Sequence, residues 1–329
     1  MNLTMFILTM LANIKLCLFA LETPIIGILS QETYIVSKYL PERHNYSSFI
    51  AASYVKFLES AGARVIPVWI GKRKEYYEKV VSYTNGILFP GGGTYFNETD
   101  GYGETARQIY NLAVELNNKG IYYPVWGICL GMQALVFSQL GTDIRIDRIL
   151  KNVALPLEFI EGYEKSKMYS RTPKQLIQIL GAKNVTYNFH RYGLTEDVLR
   201  KHEILDDWNI LTTNKDARNL RFISSMESKK YPIYGLQFHP EKNIFEFQNN
   251  TGIPHSSGAI RVSQFFATFF VDECRKNNNR FPDEYTELKT LIYNYNPLYT
   301  GIKGSSYEQL YAFTENDYKR CPLVAANEV

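Results

Sequence analysis

Cysteine is scarce in this 329-residue chain, with only Cys17, Cys129, Cys274 and Cys321. No Cys-x-x-Cys, no His-x-x-x-His and no cluster of acidic ligands occurs, so the sequence predicts no metal site and no cofactor. Histidine is equally sparse, at positions 44, 190, 202, 239 and 255. Beyond the amino terminus no apolar run approaches the ~20 residues of a membrane-spanning helix, so none is predicted. Internal repeats, low-complexity segments and Gly/Ser linkers are missing too. One domain over residues 21–329 with a C-terminal tail is therefore expected, and a hydrophobic content of 45% can fill its core. The net charge of +3 lacks the excess of one sign that marks a dedicated nucleic-acid binder.

The first twenty residues, MNLTMFILTMLANIKLCLFA, are apolar and end at Ala20 before Leu21-Glu22-Thr23. They read as a signal peptide, although Lys15 interrupts the run; the alternative is a buried first element. Beyond them four N-x-[ST] sequons, at Asn45, Asn97, Asn184 and Asn249, point the same way. A secreted, extracellular or lysosomal location is the expectation. Loss of the leader removes Cys17 and leaves three thiols, an odd number. Cys274 and Cys321 could be inert or could pair; Cys129 has the context of a reactive group.

Apolar β-type runs alternate with amphipathic stretches. Strands are predicted at 24–29, 64–68, 86–89 and 124–128, and helices at 47–62, 72–82, 105–119 and 130–140. The first of these helices would be capped by Ser47 or Ser48 and ended by Gly62. Further strands are expected at 210–213, 222–226 and 231–238, and helices at 172–180 and 258–276. This alternation predicts an α/β fold: a doubly wound, mostly parallel sheet with helices on both faces. Ligands of such sheets collect beyond the carboxyl ends of the strands.

That edge carries Trp126-Gly127-Ile128-Cys129-Leu130-Gly131-Met132-Gln133, a cysteine between glycines at a strand-to-helix junction. The pattern is that of a nucleophile elbow, in which glycines ease a crowded turn and the helix start favours thiolate. The competing reading is a small buried cysteine closing a core strand. A thiolate nucleophile needs a base, and His239 closes the strand at 231–238. Glu241, two residues on, would face the same way on an extended backbone and hold the imidazole. Gly92 and Gly93 follow another strand, and with Leu130 they could offer N–H groups to an oxyanion. As a phosphate loop they fail, since no Gly-Lys-Ser/Thr follows. His190 reads equally as a substrate contact or a structural histidine.

Gly-x-Cys-x-Gly-x-Gln on an elbow, an earlier Pro-Gly-Gly loop and a late Gln-Phe-His-Pro-Glu resemble the class I glutamine amidotransferase superfamily. The stretches PIIGILSQE, IAASYVKFLESAGARVIPV, NGILFPGGG, YPVWGICLGMQ, NFHRYG, YPIYGLQFHPEKN and PLYTG resemble its γ-glutamyl hydrolase family more closely. The resemblance implies a Cys129-His239-Glu241 triad, substrate contacts at His190 and Gln133, a homodimer, and hydrolysis of folylpoly-γ-glutamates through a thioester. Gln133 departs from the acidic residue common in the hydrolases and matches the amidotransferases. The alternatives are a glutaminase serving a synthetase, against which the lack of a fused synthetase counts, or a non-catalytic binder, against which the intact triad counts.

Overall fold

The computed structural model describes residues 22–42 and 44–324; the expected leader and Cys17 lie outside the described residues. Its strands are β1 (Ile25–Leu29), β2 (Gln31–Glu32), β3 (Tyr46–Ala51), β4 (Arg64–Val68), β5 (Gly86–Phe89), β6 (Val125–Ile128), β7 (Ile146–Leu155), β8 (Glu158–Phe159), β9 (Thr186–Gly193), β10 (Trp208–Lys215), β11 (Arg221–Ser228), β12 (Ile233–Leu236), β13 (Leu298–Tyr299) and β14 (Gln309–Thr314).

Eight strands form the main sheet in the order β4-β1-β5-β6-β12-β11-β10-β8. From β4 to β12 all pairings are parallel, and β11, β10 and β8 extend the sheet antiparallel. Every residue of β1, β5, β6 and β12 is buried. Continuous burial with no alternation means that both faces of the sheet are covered, the mark of a parallel α/β core. The helices Lys74–Tyr83, Tyr102–Asn118 and Leu130–Leu140 pack on one another, and Ala52–Glu59 packs on Ser257–Cys274. The mostly parallel α/β sheet expected from the sequence is the one observed. Cys274 and Cys321 are both buried and unpaired. Among the described residues no helix is long and apolar enough to cross a membrane.

One expected element is corrected. Residues 47–62 do not form one helix: Tyr46–Ala51 is β3, and the helix is only Ala52–Glu59. The capping serines have other roles, for Ser47 Oγ donates to the carbonyl of Phe313 at 3.3 Å. The cause is a partner far along the chain. The tail strand β14 pairs antiparallel with β3, and β2 takes its other edge, in a second sheet ordered β13-β14-β3-β2. Ser-Ser-Phe-Ile-Ala suits a pleated, half-buried strand as well as a helix, and the tail decides. A third sheet pairs β7 with β9.

The tail is anchored by aromatics. Phe313 is fully buried, with its ring edge-on to Trp69 at 5.7 Å and to Tyr295 at 5.1 Å. Replacing Phe313 with Ala is expected to cost about 3–5 kcal/mol, the usual range for emptying a buried aromatic site. Urea unfolding checks this; a loss below about 1 kcal/mol would show that the tail is not part of the cooperative core.

Candidate active site

Three strands of the main sheet, β5, β6 and β12, deliver the site at their carboxyl ends. After β6 the chain reverses at Cys129, which takes φ 54° and ψ −108° before the helix Leu130–Leu140 begins. A non-glycine residue at positive φ is strained and persists only where its surroundings over-determine it. Two backbone bonds hold it: Cys129 N–H donates to Leu236 O at 2.6 Å, and Gln133 N–H donates to Cys129 O at 3.2 Å. The flanking glycines supply room. A Cβ on Gly127 would meet the backbone of Gly131 at 2.4 Å, and one on Gly131 would lie 1.9 Å from Phe89 O.

His239 follows β12, its N–H donating to Tyr187 O at 2.8 Å. Its Nδ1 lies 2.7 Å from Glu241 Oε1 and 3.3 Å from Tyr54 Oη, which leaves Nε2 for the hydrogen bond with the Cys129 thiol. The carboxylate arrives by a different route from the one expected. Glu241 is helical (φ −64°, ψ −28°) at the start of Lys242–Phe245, so it reaches the imidazole across a turn and not by strand alternation. Glu241 is fully buried, and its Oε2 has no hydrogen-bond partner. Burial pulls the His239 pKa down. The charges of Glu241 and Cys129, and hydrogen bonds to both, outweigh it and push the pKa up from 6.5 to about 9.

The loop after β5 passes against both groups. A Cβ on Gly91 would lie 2.6 Å from His239 Cε1 and 3.0 Å from Cys129 Cβ. Tyr54 Oη accepts the Gly91 N–H at 2.8 Å, and Gln31 Nε2 donates to Gly91 O at 2.8 Å. At Gly92 a Cβ would lie 1.6 Å from Gln31 Oε1, so a larger residue there would have to displace the Gln31 amide. Leu130 opens its helix, where N–H groups have no intrahelical acceptor. Its amide and those of Gly92 and Gly93 are the oxyanion donors expected from the sequence.

Gln133 and His190 are 3% and 6% exposed. Gln133 Nε2 donates to Tyr192 O at 2.8 Å and to Gln237 Oε1 at 3.0 Å, while its Oε1 accepts from Arg145 at 3.4 Å. Gln237 Nε2 in turn donates to Cys129 Sγ at 3.5 Å. Gln133 thus reaches the nucleophile through a second amide. His190 Nε2 faces Asn188 Oδ1 at 3.3 Å, and its buried Nδ1 has no partner. Burial, and then the charge of His239, lower its pKa to about 4, so it is neutral at physiological pH. Tyr54, Gln31 and Gln237 were not among the expected site residues. Among the described residues no group of three or more His, Cys, Asp or Glu side chains is placed to hold a metal ion.

A cleft of about 940 Å³ opens beside the triad, with Gly92, Gly93, Tyr187, His239, Lys242 and Tyr307 in its wall. Because the folded pKa of His239 is raised, the stability that its protonated form contributes is complete below about pH 6.5 and is lost as the pH rises through about 9. In urea titrations across that window, Glu241→Gln is expected to show a smaller loss than the wild type. Parallel pH profiles would refute the assigned coupling.

Residues 24–241 match the family model described as peptidase C26. Mouse and human γ-glutamyl hydrolases are each 42% identical to the chain, over 294 and 293 residues, in both cases 89% of this chain and 90% of theirs. γ-Glutamyl hydrolase B of Dictyostelium discoideum is 37% identical over 322 residues, 94% of this chain and 90% of that one. Among solved structures, PurLQS from Thermotoga maritima aligns with a TM-score of 0.45 and 16% identity, over 75% of this chain and 98% of that one. By the family model and by identity across nearly nine-tenths of its length, the chain belongs to the peptidase C26 family, among the γ-glutamyl hydrolases.

Proposed function

We propose that the chain hydrolyses the γ-glutamyl bonds of folylpoly-γ-glutamates, with Cys129 as nucleophile, His239 as acid and base, and Glu241 as its orienting partner. The observation that carries the reading is the strained Cys129 thiol bonded to an imidazole whose other nitrogen is held 2.7 Å from a buried carboxylate. With the His239 pKa near 9, imidazolium is the resting form at neutral pH. The Cys129 sulfur attacks the γ-carbonyl carbon, and the oxygen takes its charge against the amides of Leu130 and the Gly92–Gly93 loop. His239 Nε2 gives its proton to the departing amine nitrogen as the C–N bond breaks. Nε2 then takes a proton from water, which attacks the thioester; the C–S bond breaks and the γ-carboxylate leaves.

The cleft suits a long substrate with a bulky amine leaving group. Phe189, Phe247 and Tyr299 stand on its wall and are 50%, 61% and 57% exposed, offering apolar faces to a flat ring system. The names of the related hydrolases support γ-glutamyl chemistry and leave the folate portion to this argument.

The test is product analysis on a folate carrying several γ-linked glutamates. The purified chain is expected to release glutamate or glutamyl peptides without nucleotide or partner. Cys129→Ala should be inactive, and His239→Ala should lose roughly 10²–10⁴-fold, more than Glu241→Ala. Turnover of free glutamine with the γ-linked folate untouched would select the amidotransferase reading instead.

The same reading includes a homodimer routed to the lysosome or the cell exterior. Its support is the apolar leader and four sequons whose asparagines are all exposed. Protein from a eukaryotic secretory host should begin near Leu21, lose mass on glycosidase treatment and scatter light as twice the chain mass. Retention of Met1 with no glycan would place it elsewhere.

A further inference from the structure

Lys242 is an unusual lysine. It forms part of the cleft wall, three residues beyond His239, yet it is only 6% exposed. Its ammonium has three donors, and one protein acceptor takes a single one of them: the carbonyl of Ser306, at 3.3 Å. The Tyr307 ring lies 4.8 Å away. That ring belongs to the reaction centre's surroundings, since burial and then the charges of Glu246, Glu241 and Cys129 raise its hydroxyl's pKa. No carboxylate among the described residues lies within ion-pair distance of Lys242. Glu241 is committed to His239, and Glu246 turns Oε2 to the Gln248 amide and the Glu308 N–H, its buried Oε1 meeting no donor, that of Lys242 included.

A nearly buried ammonium without a counter-charge is costly, and the cost falls when a carboxylate comes to it. The contrast is Lys38, also on the cleft wall but exposed, where water and salt screen the charge. In a γ-linked polyglutamate every residue keeps its α-carboxylate free, because the chain runs through the side chains. In an α-linked peptide that carboxyl is consumed in the bond.

Resting on the γ-glutamyl hydrolase reading above, we propose that Lys242 is the receptor for the free α-carboxylate of a glutamate flanking the scissile bond, and so a residue that selects γ-linked over α-linked chains. The lysine reads the linkage by where the free carboxylate lies, since an α-linked glutamate chain carries it at the end of the side chain instead, and it does so separately from the alignment of the γ-carbonyl on Cys129. Its role is in binding and not in the proton transfers.

The test is a cycle of substrates against variants. Three γ-glutamyl substrates are compared: one with both flanking α-carboxylates free, one with the acyl-side carboxylate as its carboxamide, and one with the leaving-side carboxylate so masked. The wild type should prefer the unmasked substrate over one of the masked ones by roughly 10–100-fold in kcat/KM, as for a hydrogen bond to a charged group. The masked position that loses activity identifies which carboxylate Lys242 binds. Lys242→Met should erase the preference by raising KM for the unmasked substrate, with kcat within a few-fold, and Lys242→Arg should keep most of it. If the Met variant fails to fold, Lys242→Gln carries the same comparison. A variant without the charge that retains the wild-type preference overturns the proposal. Wild-type hydrolysis with no preference for either free carboxylate overturns it as well, while leaving the hydrolase reading intact. No hydrolysis of any of the three by the wild type would sink the hydrolase reading, and this proposal with it.

Discussion

The contact of Gly131 with the carbonyl of Phe89 constrains the rest of the site. Because the two backbones touch where a methyl group would lie 1.9 Å from an oxygen, the helix Leu130–Leu140 is drawn onto β5. The chain must then leave β6 and enter that helix within one residue. Cys129 absorbs the reversal with a positive φ, and the bond from its N–H to Leu236 O ties the strained residue to β12, the strand that carries His239. The strain therefore has a use. A relaxed residue there would let the chain leave the sheet more gradually, and the sulfur would no longer stand beside the imidazole.

Charge completes what the backbone begins. Cys129, His239 and Glu241 are all buried, and desolvation opposes every charge among them. They offset it mutually: Glu241 gives His239 one oxygen at 2.7 Å while leaving the other unpaired, and Cys129 joins the carboxylate in holding the imidazole protonated. The neighbouring polar groups are uncharged. Tyr54 spends its hydroxyl on Gly91 and His239, Gln237 turns an amide N–H to the sulfur, and His190 is neutral. A second full charge packed directly against the trio would shift the balance that keeps the imidazole protonated near neutrality.

The sheet centre and the tight turn at Cys129 were legible in the sequence because their determinants are local. Apolar runs at 25–29, 86–89, 125–128 and 233–236 are too short for helices and bounded by turn residues, so they read as strands buried on both faces, and Gly-Ile-Cys-Leu-Gly carries its own steric signature. The stretch from Ser47 to Gly62 was not legible, since its apolar spacing serves strand and helix alike and the deciding partner, Gln309–Thr314, lies over 250 residues away. That misreading also hid Tyr54. Its side chain gains a role only once the helix is known to start at Ala52 and to aim its first turn at Gly91. Gln133 was visible as a motif member, but its partners Tyr192, Gln237 and Arg145 come from other segments. The Glu241 carboxylate was found for a reason that the structure replaces, a turn in place of strand alternation.

The same long-range pairing explains why the tail belongs to the enzyme and is not an appendage. β14 fixes β3 along one edge, β2 fixes the other, and Gln31 lies in β2 with its amide on Gly91 O. The loop of Gly91, Gly92 and Gly93 is thus braced through a sheet in which two of the four strands, β13 and β14, come from the last thirty or so described residues. The segment between β13 and β14 turns back across the cleft, where Ser306 meets the Lys242 ammonium and Tyr307 lies against it. Loosening β14 from β3 would free Gln31 and the Tyr307 wall together. The Gly91 loop and the Tyr307 wall of the cleft are thus tied to one antiparallel pairing, although Cys129 itself follows a strand of a different sheet.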